Sequence, residues 1–474
     1  MKRSAALILA IAFSVARVAE GTEYWWPQFR GPNGSGVSES AMPPVQFGPG
    51  TNQLWKTPVP PGASSPCVWS DFILLTAFEG GALQTICYER SDGKLLWKRD
   101  AKAGAIEEYN TEEGTPAAST PATDGKRVVS YFGSCGLLCY DLNGGELWRH
   151  KLPVAQTTGG FGSGGSPIIA GNLVIVNRDQ VKNGSLLAVN LETGQTAWET
   201  PRPDVTQSYS TPIWWKDEGV DEVVLSGSLK LKAYDLKTGA ERWTLGGMPS
   251  TCCTTPVLGD GMLFFAGWAP GNEPGSAITW ESVARAADKN HDGVITPEEA
   301  KAAGLGAYFR AFDMNGDGRI TREDIDLIRA QKAKGGNLLL ALKPGGHGEL
   351  GPGQVAWKQT AGLPYVPSPL FYRDRIYLVR DGGMVSSFDA KTGNPYYQKE
   401  RLNAGGNYYA SPVAADGRIY FASVNGRISV VAAGGTQPKI LHQADFGERI
   451  CATPALIGNT LYLRTASALF AFGR

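Results

Sequence analysis

An acidic loop in the second half of the chain has the residue types and the spacing of a calcium site. It begins at Asp288, ends at Glu299 and has glycine at its sixth position, Gly293. Ca²⁺ prefers about six to eight hard oxygen ligands, and the loop matches the pattern D-x-[DN]-x-[DN]-G-x5-E in full. The predicted ligands, five side chains and one backbone carbonyl, are Asp288, Asn290, Asp292, Val294 (carbonyl), Thr296 and Glu299. The simpler alternative is a solvated acidic turn.

A second acidic loop follows, and it ends in aspartate where the first ends in glutamate. Its predicted ligands are Asp313, Asn315, Asp317, Arg319 (carbonyl), Thr321 and Asp324. The shorter Asp324 side chain reaches less readily for contact through both oxygens, which predicts weaker Ca²⁺ binding or a bias toward Mg²⁺. Because the second loop starts closer to the first than in a standard pair, residues 300–312 are predicted to form one connecting helix. Ile295 occupies the apolar position that can pair with the neighbouring loop.

The elements that position these loops are predicted from a repeat, which is marked by a Ser/Thr-Pro step. The step occurs eight times, at Ser65-Pro66, Thr120-Pro121, Ser166-Pro167, Thr211-Pro212, Thr255-Pro256, Ser368-Pro369, Ser411-Pro412 and Thr453-Pro454. Six of the seven intervals have the length of a propeller blade, and the interval that begins at Thr255 is more than twice as long and contains both acidic loops. One unit of this length cannot bury its own apolar face, so the period predicts a closed or stacked array.

Each repeat has the pattern of four short antiparallel strands separated by Gly/Asp turns. A large aromatic residue follows the last turn glycine by four positions, as in Gly194 to Trp198, and is predicted to fill the space between neighbouring sheets. The last repeat has only three strands, and residues 54–57 are a candidate for the missing fourth. The predicted fold class is therefore all-β, an eight-bladed propeller closed by its two ends, with a small helical insertion in blade five.

The N-terminal sequence and the composition predict the segments of the chain and the cellular location of the protein. A charged start at Lys2 and Arg3, an apolar stretch and a small-residue cleavage site predict a signal peptide, and therefore a secreted or periplasmic bacterial protein with no membrane span after cleavage. The chain has 45 basic and 45 acidic residues, which gives nucleic-acid binding no electrostatic support. The predicted segments are a signal peptide (1–21), an N-terminal extension (22–52), propeller (53–275), calcium-binding insertion (276–335) and propeller (336–474).

The repeat also resembles a known family. The segment from Ala188 to Trp198, with Thr193-Gly194 before the tryptophan, resembles the pyrroloquinoline quinone (PQQ) repeat, and the resemblance covers most of the chain after residue 53. The segment from Trp26 to Pro32 is similar to the start of secreted bacterial PQQ-like propellers, some of which carry EF-hand insertions. The family includes quinoprotein alcohol dehydrogenases and the non-enzymatic propeller of the outer-membrane protein assembly machinery. The resemblance therefore implies a PQQ-like propeller with an EF-hand pair and leaves activity open.

The adjacent cysteines Cys252 and Cys253 are the candidate cofactor-binding residues that the resemblance implies. Quinoprotein dehydrogenases often place a disulfide between adjacent cysteines against the cofactor. Against this reading, Cys451, Tyr209 and Tyr409 occupy the equivalent place in other repeats, which indicates a packing position that accepts varied side chains. The family's catalytic aspartate and channel calcium ligands match no motif here. Since no Ser-His-Asp, phosphate-loop or zinc pattern occurs either, no catalytic residue is predicted.

Two functions follow as expectations. The favoured one is a scaffold whose channel mouth engages a protein, peptide or glycan, with calcium ordering the insertion; the alternative is a PQQ-dependent dehydrogenase of small alcohols or sugars. The insertion joins the second and third strands of blade five, on the face where the Ser/Thr-Pro steps lie. It is therefore predicted to flank or cap the channel mouth. The candidate mouth residues, taken from their repeat position, are Tyr209, Asn407, Tyr408, Tyr409 and Arg449.

Overall fold

The computed structural model describes residues 25–217, 219–273 and 278–474, and within them the chain forms eight β-sheets. Seven of the sheets are built around four antiparallel strands from one repeat, and the eighth combines three strands of the last repeat with one from the N-terminal side, so the predicted eight-bladed propeller is confirmed. The predicted signal peptide, residues 1–21, lies outside the described residues. Each blade has an apolar face on both sides because it packs between two neighbours, and its central strands are almost wholly buried.

The strands of the first four blades follow the repeat in order. Blade 1 contains Cys67–Trp69, Phe72–Glu79, Ala82–Glu89 and Leu95–Ala101. Blade 2 contains Ala122–Thr123, Arg127–Phe132, Gly136–Asp141 and Glu146–Lys151. Blade 3 contains Ile168–Ala170, Leu173–Arg178, Ser185–Asn190 and Thr196–Pro201. Blade 4 contains Ile213–Asp217, Val220–Gly227, Lys230–Asp235 and Glu241–Gly246, with Gly348–Glu349 added to its outer edge.

The other four blades continue the pattern and close the ring. Blade 5 contains Val257–Gly259, Met262–Gly267, Leu338–Leu342 and Val355–Gln359. Blade 6 contains Leu370–Tyr372, Arg375–Arg380, Met384–Asp389 and Pro395–Arg401. Blade 7 contains Val413–Ala415, Arg418–Ala422, Arg427–Ala432 and Lys439–Asp445. Blade 8 contains Ala455–Ile457, Thr460–Arg464 and Ala468–Phe472, and Gln53–Pro58 pairs with the last of these, with Trp55 opposite Ala471.

The Ser/Thr residues of the repeat form a closed ring of hydrogen bonds around the channel. In each blade the backbone N–H of this residue donates to the side-chain hydroxyl of its counterpart in the next blade, over 2.9 to 3.1 Å. The ring runs through Ser65, Thr120, Ser166, Thr211, Thr255, Ser368, Ser411 and Thr453, and Thr453 returns to Ser65. The hydroxyl is therefore needed at this position because it satisfies a buried N–H of the preceding blade.

Removing one hydroxyl from this ring should cost stability. In Ser411→Ala the buried N–H of Ser368 loses its acceptor, which lies 3.0 Å away. An unsatisfied buried donor costs about 1–3 kcal/mol, so we expect the free energy of unfolding to fall by that amount in urea denaturation. The control is Ser467→Ala, which removes an exposed hydroxyl and should change it by less than about 0.5 kcal/mol. Equal effects of the two changes would contradict the role assigned to the ring.

The repeated tryptophan links five of the blades to the next one. Trp148 of blade 2 donates from Nε1 to the Leu191 carbonyl of blade 3 at 2.9 Å, and its ring covers Gly194. Gly194 has φ +69°, and a Cβ there would lie 2.6 Å from the indole, so glycine is required for both reasons. The same donation joins four more pairs of blades: Trp55 to Arg90, Trp97 to Leu142, Trp198 to Leu236 and Trp357 to Ala390. The predicted structural role of this aromatic matches what the structure shows.

The N-terminal extension crosses the face opposite the Ser/Thr-Pro steps and closes the channel there. Its strand Trp25–Trp26 pairs with the first strand of blade 1, and Met42 N–H donates to the carbonyl of Gly458, in the turn at the far end of the first strand of blade 8. Between these points Phe29 reaches the channel cavity described below, and Arg30 is fully buried. Arg30 Nη2 donates to the Pro369 carbonyl at 2.6 Å, and burial lowers the Arg30 pKa to about 9.

The insertion in blade 5 is helical and lies between Met262–Gly267 and Leu338–Leu342. Its helices are α1 (Trp280–Ala287), α2 (Pro297–Ala302), α3 (Phe309–Phe312) and α4 (Arg322–Lys332). They enclose a small apolar core of their own, which includes Trp280, Ile295, Ile320 and Ile325. The prediction that residues 300–312 form one helix is wrong. The chain turns at Gly304, which has φ +76°, and passes through a 3-10 turn, Gly306–Tyr308, before α3 begins.

Candidate calcium-binding lobe and channel mouth

The first acidic loop joins α1 to α2 and is wrapped around the carboxylate of Asp288. Asp288 Oδ1 accepts the Asp292 N–H at 3.2 Å, and Oδ2 accepts the Gly293 N–H at 3.1 Å. Asp292 N–H also donates to Asn290 Oδ1, and Asp292 Oδ1 accepts the Val294 N–H. At the end of the loop, Glu299 Oε2 accepts from both the N–H and the hydroxyl of Thr296. These bonds hold the predicted ligands in one loop that turns inward.

The second loop joins α3 to α4 and repeats the same hydrogen bonds. Asp313 accepts the N–H groups of Asp317 and Gly318, and Asp317 accepts the N–H of Arg319. The Asp317 N–H reaches Asn315 Oδ1 at 2.9 Å. Asp324 is fully buried, and its carboxylate accepts from Met314, from the Thr321 N–H and from the Thr321 hydroxyl. The two loops therefore share one conformation although their last residues differ.

The two loops pair with each other through their apolar residues. Ile295 and Ile320 form an antiparallel bridge with N–O distances of 2.9 and 3.0 Å, and both side chains are fully buried. In the described part of the chain no three His, Cys, Asp or Glu side chains converge as a metal would require. The carboxylates of both loops accept backbone N–H groups instead. Calcium binding by these residues remains a prediction that needs a direct measurement.

The lobe touches the propeller at the rim of the channel mouth. The segment between the two loops packs against a 3-10 turn of the propeller, Thr158–Gly160. The ring of Tyr308 lies 6.2 Å from that of Phe161, and Arg310 forms an ion pair with Glu108. Phe161 in turn meets Tyr209 edge-on, with ring centroids 6.5 Å apart. This geometry agrees with the expectation that the insertion flanks the mouth.

A cavity of about 210 Å³ lies at the mouth, on the channel axis. All eight Ser/Thr residues of the ring line it, and Phe29 of the N-terminal extension reaches it as well. Three tyrosines stand around it, Tyr209, Tyr365 and Tyr409, and its one charged lining residue is Glu113, among the residues the structure describes. Glu113 lies on the long segment between blades 1 and 2, which also contacts the loop between blades 7 and 8, where Arg449 donates to the Glu112 carbonyl at 2.9 Å.

The two adjacent cysteines lie in different surroundings. Cys252 is buried in the apolar core between blades 4 and 5, and its sulfur lies 3.2 Å from the Gly227 carbonyl. Cys253 lines the cavity, as does Cys451. Burial raises the pKa of Cys253 to about 12 and also raises that of Cys451. Both cavity thiols are therefore protonated at neutral pH, which is unfavourable for a nucleophile.

The other candidate mouth residues divide into two groups. Tyr209 and Tyr409 line the cavity, and exposed Asn407 lies beside Tyr409, whose pKa is raised chiefly by burial. Arg449 lies in an adjoining notch beside Cys451. Tyr408 does not face the mouth: it is fully buried in the core between blades 6 and 7, and its hydroxyl donates to the Ala404 carbonyl. Its alternation with Tyr409 places it on the opposite side of the backbone.

A buried carboxyl group, Glu107, anchors the long segment that carries Glu113. Glu107 Oε2 accepts from the N–H and the hydroxyl of Ser163, at 3.1 and 2.7 Å, and its own N–H donates to Ser134 Oγ. No described residue supplies a hydrogen bond to Oε1. Burial raises the pKa of Glu107 from 4.5 to about 7. Sequence reasoning missed this residue because it lies outside the repeat.

The raised pKa of Glu107 predicts a pH dependence of stability. Between about pH 4.5 and 7 the folded state binds more protons here than the unfolded state, so this group lowers stability as the pH rises. Glu107→Gln keeps an acceptor for Ser163 and cannot ionise. We expect the variant to gain stability over the natural protein as the pH rises from 5 to 8, by less than about 3 kcal/mol. Parallel melting curves of the two proteins would contradict this.

The comparisons identify the fold class of the chain. A family model described as outer membrane protein assembly factor BamB matches residues 45–211 and 86–251, and an EF-hand model matches residues 285–301 and 305–326. The chain is therefore a β-propeller that matches the BamB family model over residues 45–251 and the EF-hand model within the insertion, in agreement with the resemblance. No match was found among the curated proteins. Within the described residues, no helix is long and apolar enough to cross a membrane.

Solved structures of BamB and of alcohol dehydrogenases are similar in fold to this chain. BamB from Moraxella catarrhalis is 14% identical with a TM-score of 0.53, and the match covers 88% of this chain and 98% of that one. A europium-containing methanol dehydrogenase is 11% identical, with a TM-score of 0.57 and coverage of 95% and 98%. The quinohemoprotein alcohol dehydrogenase of Comamonas testosteroni is 12% identical, with a TM-score of 0.56 and coverage of 95% and 80%. At these identities the likeness shows the fold alone.

The lining of the cavity does not fit PQQ. The cofactor carries several carboxylates, which require cationic or N–H donors when they leave water. Among the described residues that line the cavity none is basic, and the one charged side chain is the carboxylate of Glu113. The backbone N–H groups of the Ser/Thr ring are already bonded from blade to blade. No catalytic step through PQQ is therefore derived for this chain.

Proposed function

We propose that this protein is an exported scaffold that binds a protein or peptide at the channel mouth, and that its EF-hand lobe binds calcium beside that mouth. The observation that carries the proposal is the contact of the lobe with the rim of the cavity. Tyr308 of the lobe packs on Phe161, and Phe161 lines the cavity and packs on Tyr209. A metal that orders the lobe would therefore order a segment that contacts a residue lining the cavity.

The chemistry of the cavity supports binding over catalysis. Hydroxyl groups, aromatic rings and protonated thiols surround a space open toward the mouth, and these groups suit recognition. General acid–base work needs a group with a pKa near neutral that reaches the substrate. Glu107 has such a pKa, but it is buried behind Ser163 and does not line the cavity. The family model described as an assembly factor agrees with a role in protein contacts.

Site-specific photocrosslinking in an exporting bacterial host tests this function. A benzoylphenylalanine at position 409 faces the mouth, and one at position 42 lies on the opposite, N-terminal face, where Met42 is exposed. We expect a discrete crosslinked partner from position 409 that disappears when calcium is chelated, and none from position 42. Equal products from the two positions would overturn the assignment of the mouth as the binding face.

The dehydrogenase alternative is supported by the similar folds of the methanol and quinohemoprotein alcohol dehydrogenases. Reconstitution with PQQ and Ca²⁺, followed by dye-linked oxidation of small alcohols and sugars, separates the two functions. We expect no quinone absorption to remain after gel filtration and no turnover. A bound quinone chromophore with turnover would favour the enzyme instead.

A further inference from the structure

The cavity at the channel mouth combines one carboxylate with three aromatic rings. Glu113 lines it together with Tyr209, Tyr365 and Tyr409, and all three tyrosines are half-buried. Burial is the main cause of the raised pKa of each tyrosine, and the negative charge of Glu113 adds to it in all three. The Glu113 carboxylate is therefore near enough to all three tyrosines to contribute to the raised pKa of each.

The surroundings keep this carboxylate available to a ligand. Glu113 is exposed, and no described residue that lines the cavity carries a positive charge. Glu113 also lines the adjoining notch, which contains Arg449 and Arg464. The Arg449 guanidinium donates to the carbonyl of Glu112 and lies 4.0 Å from the Cys451 sulfur, and the Arg464 guanidinium donates to the Ser64 hydroxyl and the Thr76 carbonyl, so both arginines have other acceptors. A cationic ligand that enters the cavity therefore meets Glu113 as the one charged side chain among the described lining residues.

The size of the cavity limits what can enter. At about 210 Å³ it is smaller than the roughly 300–1,000 Å³ that holds a drug-sized molecule. One long side chain fits this volume, and the rest of the ligand would lie outside it, where the cavity opens to the mouth. Aromatic faces around a cation stabilise it by about 0.5–2 kcal/mol. An alkyl chain that ends in a positive charge meets both the rings and the carboxylate.

We propose that the cavity binds the cationic side chain of a lysine or arginine in a peptide or protein segment. This inference rests on the proposed function, because it names the ligand class of the same site. Glu113 pairs with the ammonium or guanidinium group. The three tyrosine rings enclose the alkyl chain, and Phe29 and the Ser/Thr ring form the floor below it.

Calorimetry with blocked pentapeptides on the full-length protein tests the inference. The peptides are Gly-Gly-X-Gly-Gly with X as lysine, arginine, norleucine or glutamate, so lysine and norleucine differ only in the ammonium group. We expect lysine and arginine peptides to bind at least about tenfold more tightly than the norleucine peptide, since a tenfold ratio needs only about 1.4 kcal/mol. The free amine n-butylamine should bind more weakly than the lysine peptide, and equal affinity would overturn the assignment of a peptide segment.

Matched variants of neighbouring glutamates identify the carboxylate. Glu113→Gln should weaken the lysine peptide at least about tenfold and leave the norleucine peptide unchanged, and Glu112→Gln, whose side chain lies outside the cavity, should change neither. Both residues are exposed, so folding should be preserved, as circular dichroism can check. If norleucine or glutamate peptides bind as tightly as lysine, the charge assignment is wrong while the mouth function stands. If no peptide and no amine binds, both the inference and the mouth function fail.

Discussion

Replacing Arg202 with methionine should lower the free energy of unfolding by about 3–5 kcal/mol, the cost of leaving one member of a buried ion pair alone. Arg202 and Asp179 are both fully buried. They meet through two parallel bonds, Nε to Oδ1 at 2.7 Å and Nη2 to Oδ2 at 3.0 Å, and Nη1 donates to the hydroxyl of Tyr234. Urea denaturation followed by tryptophan fluorescence measures the loss.

The position of this pair explains the size of the expected effect. Asp179 follows the second strand of blade 3, Arg202 follows its fourth strand, and Tyr234 belongs to blade 4. The pair therefore joins two loops of one blade to the next blade around a charge that water does not reach. Without the guanidinium, Asp179 must either remain charged and unpaired or take up a proton, and both options are unfavourable at neutral pH.

A second substitution separates loss of the pair from loss of packing. The double variant Arg202→Met with Asp179→Asn removes both charges of the buried pair. We therefore expect its free energy of unfolding to be at least about 2 kcal/mol higher than the sum of the two single changes would give. Arg427→Met is the matched control, because its ion pair with Asp445 is exposed, with about half of each side chain accessible. The Arg427→Met change should lower the free energy of unfolding by less than about 1 kcal/mol. Simple additivity in the double variant would contradict the role of the pair.

The blade number and the ring closure could be predicted because both depend on repeated residues. Each Ser/Thr-Pro step recurs since each hydroxyl satisfies the same buried N–H of the preceding blade. Each turn glycine recurs since a tryptophan lies on it. A contact that is made in every repeat requires the same residue type at a regular interval in the sequence. Eight occurrences of that residue type identify the repeat even where the secondary structure of one segment is ambiguous.

The features that distinguish the mouth were missed because each occurs once. Glu107 and Glu113 lie on a segment that makes the interval from Ser65 to Thr120 longer than any other interval without an insertion. That excess length was the available signal. Arg30 and Phe29 lie in the N-terminal extension, whose position across the channel depends on tertiary contacts with several blades. The connecting helix was predicted wrongly because the left-handed turn at Gly304 overrides the helix-forming residues around it.

One substitution tests the predicted calcium binding without disturbing the fold. Glu299→Gln should weaken the tighter calcium-binding event at least about 100-fold, because the loop loses the charged residue that can contact the ion through both oxygens. The fold should survive, since Glu299 is also the third residue of a capping box in which its Oε2 accepts the Thr296 N–H. Glutamine makes the same cap. Isothermal titration of the full-length protein with Ca²⁺ measures the change.

The neighbouring residue and the second loop supply the controls. Glu298→Gln changes an adjacent, exposed carboxylate in the same first turn and should leave both binding events unchanged. Asp324→Asn should remove the weaker event and retain the tighter one, because the two loops share their backbone conformation but differ in the reach of their last side chain. Because Ile295 and Ile320 bind the loops together, loss of either site should also weaken the other by a few-fold. Two calcium affinities that Glu299→Gln leaves unchanged would show that the acidic loops are solvated turns, and the lobe would then support the mouth through packing alone.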